Sequence, residues 1–143
     1  MLISPGDVVV TEEPTYLGAL SAFAPYGPRY ETVPTDENGM IPEGLKEVLE
    51  SANVKLVYLT PTFQNPTGYT LSLERRKAIG DLLQEHDCLL LEDDPYGALR
   101  YRGTSLPPVW TFAPEQVIYS STLSKVFAPG PVSYTHLRAH ETS

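Results

Sequence analysis

Short apolar runs alternate along the chain with stretches in which apolar residues recur every three or four positions. This is the pattern of a parallel sheet covered by helices. Val8 to Thr11 follows the turn signal Pro5-Gly6-Asp7 and is β-branched throughout, which suits a strand buried on both faces. Glu13-Pro14-Thr15-Tyr16 leads into a short helix from Leu17 to Phe23, with Thr15 as the expected N-cap and Leu17, Leu20 and Ser21 along one side. Arg29 to Val33 alternates polar and apolar and predicts a strand, and Asp36-Glu37-Asn38-Gly39 predicts a turn. Pro42 then suits the first position of a helix striped by Leu45, Val48 and Leu49. Val54 to Thr60 predicts another strand, running into a loop from Pro61 to Tyr69. Ser72 is the expected cap of the longest helix, which reaches about His86 and carries Ile79, Leu82, Leu83 and His86 on one face. Cys88 to Leu91 and Val117 to Ser120 read as two further buried strands.

Three of these strands end in polar constellations: Pro61 to Tyr69, Glu92-Asp93-Asp94, and Ser121-Thr122-Leu123-Ser124-Lys125. In open α/β sheets ligands bind outside the carboxyl ends of the strands, so this shared position is the first functional clue.

Composition narrows the classes. The chain has 143 residues, 41% of them hydrophobic, which is close to globular usage and enough for one domain. Its formal charge of −8, with no Lys/Arg patch, argues against a nucleic-acid or anionic-membrane binder. Cys88 is the single cysteine, which excludes an internal disulfide framework or a multi-cysteine metal site and fits a reducing cytoplasm. Met1-Leu2-Ile3 is broken at once by Pro5, Gly6 and Asp7, so neither a signal peptide nor a membrane span is expected there. The 14 prolines are scattered and punctuate elements rather than forming a tract. There is no internal repeat and no low-complexity segment.

Taken singly, each constellation has an ordinary explanation. Asn65-Pro66-Thr67-Gly68 is good turn chemistry, and Lys125 suits a solvated lysine in a Ser-rich loop. Glu92, Asp93 and Asp94 also suit Mg²⁺ in a nucleotide hydrolase, although no G-x-x-x-x-G-K-[ST] phosphate loop accompanies them. His136 and His140 have helical metal-ligand spacing but no third ligand within reach, so no metal site is expected.

Together and in this order, five segments resemble the pyridoxal-phosphate-dependent aminotransferases of fold type I, class I/II. They are similar above all to the 2-aminoadipate transaminase branch and to the aminotransferase-like domain of MocR regulators. The segments are Pro5 to Tyr16, Asp36 to Met40, Thr60 to Gly68, Glu92 to Tyr96, and Ser120 to Gly130. The resemblance implies an α/β fold, part of the cofactor-binding large domain, with a mostly parallel sheet flanked by helices. It implies pyridoxal 5'-phosphate as cofactor and exchange of an amino group between an amino acid and a 2-oxo acid. Lys125 would bond covalently to the cofactor aldehyde and then carry the substrate Cα proton, a role that needs a lowered amine pKa. Asp93, three residues before Tyr96, would pair with the cofactor's ring nitrogen, so that the ring can accept electrons. Asn65 and Tyr96 would donate to its phenolic oxygen, and Tyr16 would stack on its face. Thr122 and Ser124 would contact the phosphate, Thr122 standing where the family commonly has serine. Cys88, Glu92 and Asp94 receive no catalytic role: Cys88 is expected in the core, and Asp94 at a cap or turn.

The resemblance stops after Gly130. Pro131 and Val132 stand where the family continues with an apolar residue and a phosphate-clamping arginine. Val132 to Ser143 matches nothing in the family, Arg138 lies too far on to replace that arginine, and this tail is expected to fray. Residues 1–130 therefore read as an internal piece of a larger cofactor domain and residues 131–143 as an unrelated tail. The glycine-rich phosphate loop would precede the piece and the small domain would follow it. The parent would act as a homodimer, and the piece alone would have little activity. A regulator remains the second reading, with nucleic-acid binding only if a DNA-binding domain lies upstream; a PLP lyase or decarboxylase is another.

Overall fold

A computed structural model describes residues 3–95, 106–121 and 134–135. Strand β1 (Val8–Glu13) crosses the middle of the molecule, and five of its six residues are buried. Helix α1 (Leu17–Phe23) carries the chain to β2 (Arg29–Asp36), which pairs with β1 in parallel, Val8 opposite Arg29 and Glu13 opposite Pro34. A tight turn reverses the chain into β3 (Gly39–Met40), antiparallel to the end of β2. Gly39 has φ +94°, and a Cβ there would lie 3.0 Å from the Leu71 backbone, so only glycine fits the turn. Helix α2 (Pro42–Ser51) leads to β4 (Val54–Leu59), and helix α3 (Leu73–His86) to β5 (Leu89–Asp93). A single 3₁₀ turn at Val109–Thr111 precedes β6 (Val117–Ser121).

The sheet order is β3-β2-β1-β4-β5-β6-β7, where β7 (Tyr134–Thr135) is antiparallel to β6. The five central strands are parallel. Alternation along them separates two apolar layers. Val10, Val57 and Leu90 pack with Leu45 and Leu49 of α2 and Ile79 and Leu83 of α3. Val9 and Leu56, with Leu89 and Leu91, pack instead with Ile3 and with Phe23 of α1. Strands covered on both faces need apolar residues at successive positions, which is why they read as continuous runs.

Several expectations shift. The first two strands run further than their β-branched and alternating cores suggested, because parallel pairing continues to Glu13 and Pro34. Tyr16, not Thr15, is the N-cap of α1, with no side-chain cap bond, and the Thr15 Oγ1 is buried without a hydrogen-bond partner. The expected apolar side of α1 is also rotated: Leu17 is 74% exposed while Ala19 is buried. Ser72 does cap α3, its Oγ accepting from the Arg75 N–H at 3.3 Å, and Cys88 is in the core as expected. Two residues of the tail expected to fray, Tyr134 and Thr135, lie in the sheet; 131–133 and 136–143 are outside the described residues.

Candidate active site

Strands β1, β4, β5 and β6 are adjacent and parallel, so the segments that follow them leave from one edge of the sheet. The connection after β1 runs to β2 on one side of it, while β4 pairs on the other. Such a reversal of strand order opens a crevice at the carboxyl ends, where open α/β sheets bind ligands. Tyr16 follows β1, Asn65 follows β4 and Asp93 ends β5. Ser120, opposite Asp93 in the ladder, stands one residue before β6 ends at Ser121. Tyr96, Thr122, Ser124 and Lys125 lie outside the described residues.

Asp93 is held from β4. Tyr58 is opposite Leu91, so Asp93 is its diagonal neighbour on the same face of the sheet. The Tyr58 O–H donates to Asp93 Oδ2 at 2.6 Å. Burial and the adjacent Asp93 carboxylate push the phenol well above its ordinary ionisation range, so it remains a donor.

The loop after β4 is organised by Gln64, which is buried although its neighbours Phe63 and Asn65 are exposed. Its Nε2 donates to the Pro14 carbonyl at 2.9 Å, which ties the segment before Tyr16 to the loop that carries Asn65. Its Oε1 accepts from the Thr67 N–H at 3.0 Å and the Thr67 hydroxyl at 2.7 Å, closing the loop on itself. Beneath it lies Glu12, 2% exposed, whose Oε2 accepts from the Thr60 N–H at 3.1 Å. Desolvation raises the Glu12 carboxyl to about 8, against the opposing pull of its bonds from Thr60 and Gln64. The base of the loop is clamped by Arg76, a fully buried arginine of α3. It donates to the Leu71 carbonyl at 2.8 Å, the Pro61 carbonyl at 3.1 Å, Thr62 Oγ1 at 3.2 Å and the Pro107 carbonyl at 3.2 Å. Asn65 is thus exposed on a loop whose base and turn are both hydrogen-bonded.

Tyr16 is 38% exposed, and its ring lies over Gly18, where any Cβ would overlap it. Of the candidate residues, the described ones, Tyr16, Asn65 and Asp93, therefore lie along one edge of the sheet, tied together by Glu12, Tyr58, Gln64 and Arg76, none of them a candidate. Arg76 had a legible signal, since it stands three and seven residues before Ile79 and Leu83 on the apolar stripe.

The three consecutive acids do not form a cation site. Glu92 is fully buried on the opposite face from Asp93 and accepts from the Val109 N–H at 2.7 Å and the Trp110 N–H at 3.0 Å. Asp94 accepts from the Tyr119 hydroxyl at 3.0 Å, a bond to the neighbouring strand, and the segment from Tyr96, where a turn bond is expected, lies outside the described residues. Strand alternation sends successive side chains to opposite faces, which separates the carboxylates and removes the geometric basis for a Mg²⁺ hydrolase. Among the described residues no group of three His, Cys, Asp or Glu is placed to hold a metal ion. None of the candidate residues lines the cleft of about 380 Å³ beside Asn38, Ser72 and Arg75.

An open, mostly parallel sheet with flanking helices and a switch point beside β1 defines the class as a doubly wound α/β domain. The chain belongs to the aminotransferase class I and II family, whose model matches residues 1–129. It is 45% identical over 136 residues to aromatic-amino-acid aminotransferase 1 of Thermococcus litoralis, covering 91% of this chain and 33% of that protein. It superposes with a TM-score of 0.84 on the kynurenine aminotransferase of Pyrococcus horikoshii, solved in complex with PMP. Identity there is 46%, over 90% of this chain and 33% of the other. The α-aminoadipate aminotransferase of Thermus thermophilus, complexed with N-(5'-phosphopyridoxyl)-L-leucine, gives a TM-score of 0.86 at 37% identity, over 93% of this chain and 36% of that one. The chain thus spans about a third of the length of the curated relatives it matches.

Proposed function

We propose that this chain is the cofactor platform of an aminotransferase, residues 1–130 being part of a larger catalytic domain. It would exchange an amino group between an amino acid and a 2-oxo acid within a longer, homodimeric protein. The amino donors are drawn from the range in the relatives' names: aromatic amino acids, kynurenine and 2-aminoadipate. The observation that carries this reading is the Asp93 carboxylate at the switch-point edge, oriented by a buried tyrosine and flanked along that edge by Asn65 and Tyr16.

The donor set fits pyridoxal 5'-phosphate: a carboxylate for a cationic ring nitrogen, an amide for a phenolic oxygen, and an exposed aromatic face for the ring. When bound, the cofactor supplies an electron sink that makes the substrate Cα proton acidic. Asp93 would hold the cationic ring nitrogen, Asn65 would donate to the phenolic oxygen, and Tyr16 would stack on the ring. Lys125, in the segment after β6, carries the proton on its side-chain amine.

The test is borohydride reduction of the full-length protein with pyridoxal phosphate, followed by peptide mapping and a transamination assay. A pyridoxyl adduct on Lys125, lost together with amino transfer in Lys125→Ala, is the expected outcome. An adduct elsewhere, or no transfer by the cofactor-saturated protein, overturns the reading.

A further inference from the structure

The tyrosine bonded to Asp93 touches no reacting group in the proposed chemistry. Tyr58 is 3% exposed and sits on the central strand β4, 35 residues from Asp93 in sequence. A buried tyrosine needs a partner for its hydroxyl, and a backbone carbonyl would satisfy it. Tyr58 is instead spent on the one carboxylate that ends β5 at the switch-point edge. The 2.6 Å separation is in the short range of hydrogen bonds to ionised oxygen. Its ring is fixed from the other side of the contact. Phe23 of α1 meets it edge to face, with centroids 5.8 Å apart and planes at 78°. Strand pairing between β4 and β5 sets the height of the hydroxyl against Asp93, and the phenol's raised ionisation range keeps its proton in place.

We infer that Tyr58 is a positioning residue for the cofactor. It fixes the Asp93 carboxylate through Oδ2, so that the second oxygen is presented to the cofactor's ring nitrogen. The inference rests on the reading of Asp93 given above. A carboxylate with one oxygen anchored does not have to be ordered when the ring arrives, and this preorganisation appears as affinity for the cofactor.

The ring nitrogen provides a test that separates positioning from packing. In the full-length protein, dissociation constants are measured for pyridoxal phosphate and for an analogue whose ring nitrogen is replaced by carbon. Tyr58→Phe keeps the ring and its contact with Phe23 and removes only the hydroxyl. It is expected to weaken pyridoxal phosphate about tenfold, the size of one charge-assisted hydrogen bond, and to leave the analogue within about twofold. In an Asp93→Asn background the same substitution is expected to have no further effect. Equal weakening of both ligands, or of neither, overturns the inference. If Asp93→Asn loses affinity for pyridoxal phosphate and Tyr58→Phe does not, this inference fails while the reading of Asp93 stands. If Asp93→Asn leaves affinity unchanged, both fail.

Discussion

A carboxylate on a strand end that turns inward must find donors or give up its charge, and Glu12 does some of both. Its bonds from Thr60 and Gln64 hold it down, but burial prevails and raises it from about 4.5 to about 8. The folded chain therefore binds a proton more tightly than the unfolded chain across that window. Stability from this group is complete below about 4.5 and is lost as pH rises through about 8. Glu92, raised by burial to about 7, acts in the same direction over a narrower window. We expect the thermal midpoint to fall as pH rises through this range. Glu12→Gln, which keeps an acceptor for the Thr60 N–H, should flatten the fall and leave the part due to Glu92; an unchanged slope would show that Glu12 is ionised in the fold. Nothing local marks Glu12 as different from Glu13, since adjacent acids differ only in the face the strand gives them. Arg75 and Arg76 differ in the same way. Arg75 pairs with Asp36 at 2.6 Å beside solvent, holding that carboxyl below its usual range, while Arg76 is fully buried.

At the scale of elements, helix α3 shows how much of the site is held by packing behind it. Its cap, its stripe and its end were all legible, because each is written within one or two turns. Asp87, at φ +49°, closes it in a left-handed C-cap. Nothing in the local sequence distinguishes Gly80, yet a Cβ there would stand 2.8 Å from the Phe112 Cβ. The close approach lets the segment around Val109 lie on α3, where it reaches Glu92 and, through Pro107, Arg76. Gly80→Ala is therefore expected to cost about 1–3 kcal/mol in urea unfolding despite alanine's better helix propensity. A stabilised variant would mean that this contact yields easily. Helix α1 is the opposite case. At 7 residues it has too few turns for apolar spacing to define its phase, so its inward face is set by Phe23 reaching Tyr58 and not by Leu17 or Leu20.

For the whole molecule, the parallel sheet brings Tyr16, Asn65 and Asp93 to one edge, and the relatives extend over about three times the length of the chain. Among the described residues no helix is long and apolar enough to cross a membrane. Assayed by itself with pyridoxal phosphate, an amino acid and a 2-oxo acid, the 143-residue chain is expected to give no turnover above that of free cofactor. Turnover comparable to a full-length relative would show that the site is complete within it. Element types, the Ser72 cap and the order of the motifs were determined by the sequence alone, because periodicity, turn chemistry and motif spacing are local properties. The strand order, the face that each acid takes and the bonds that assemble the edge were decided only by the tertiary structure. Thr60 meets Glu12 across 48 residues and Gln64 meets Pro14 across 50, and such partners are chosen by which strands pair and in what register.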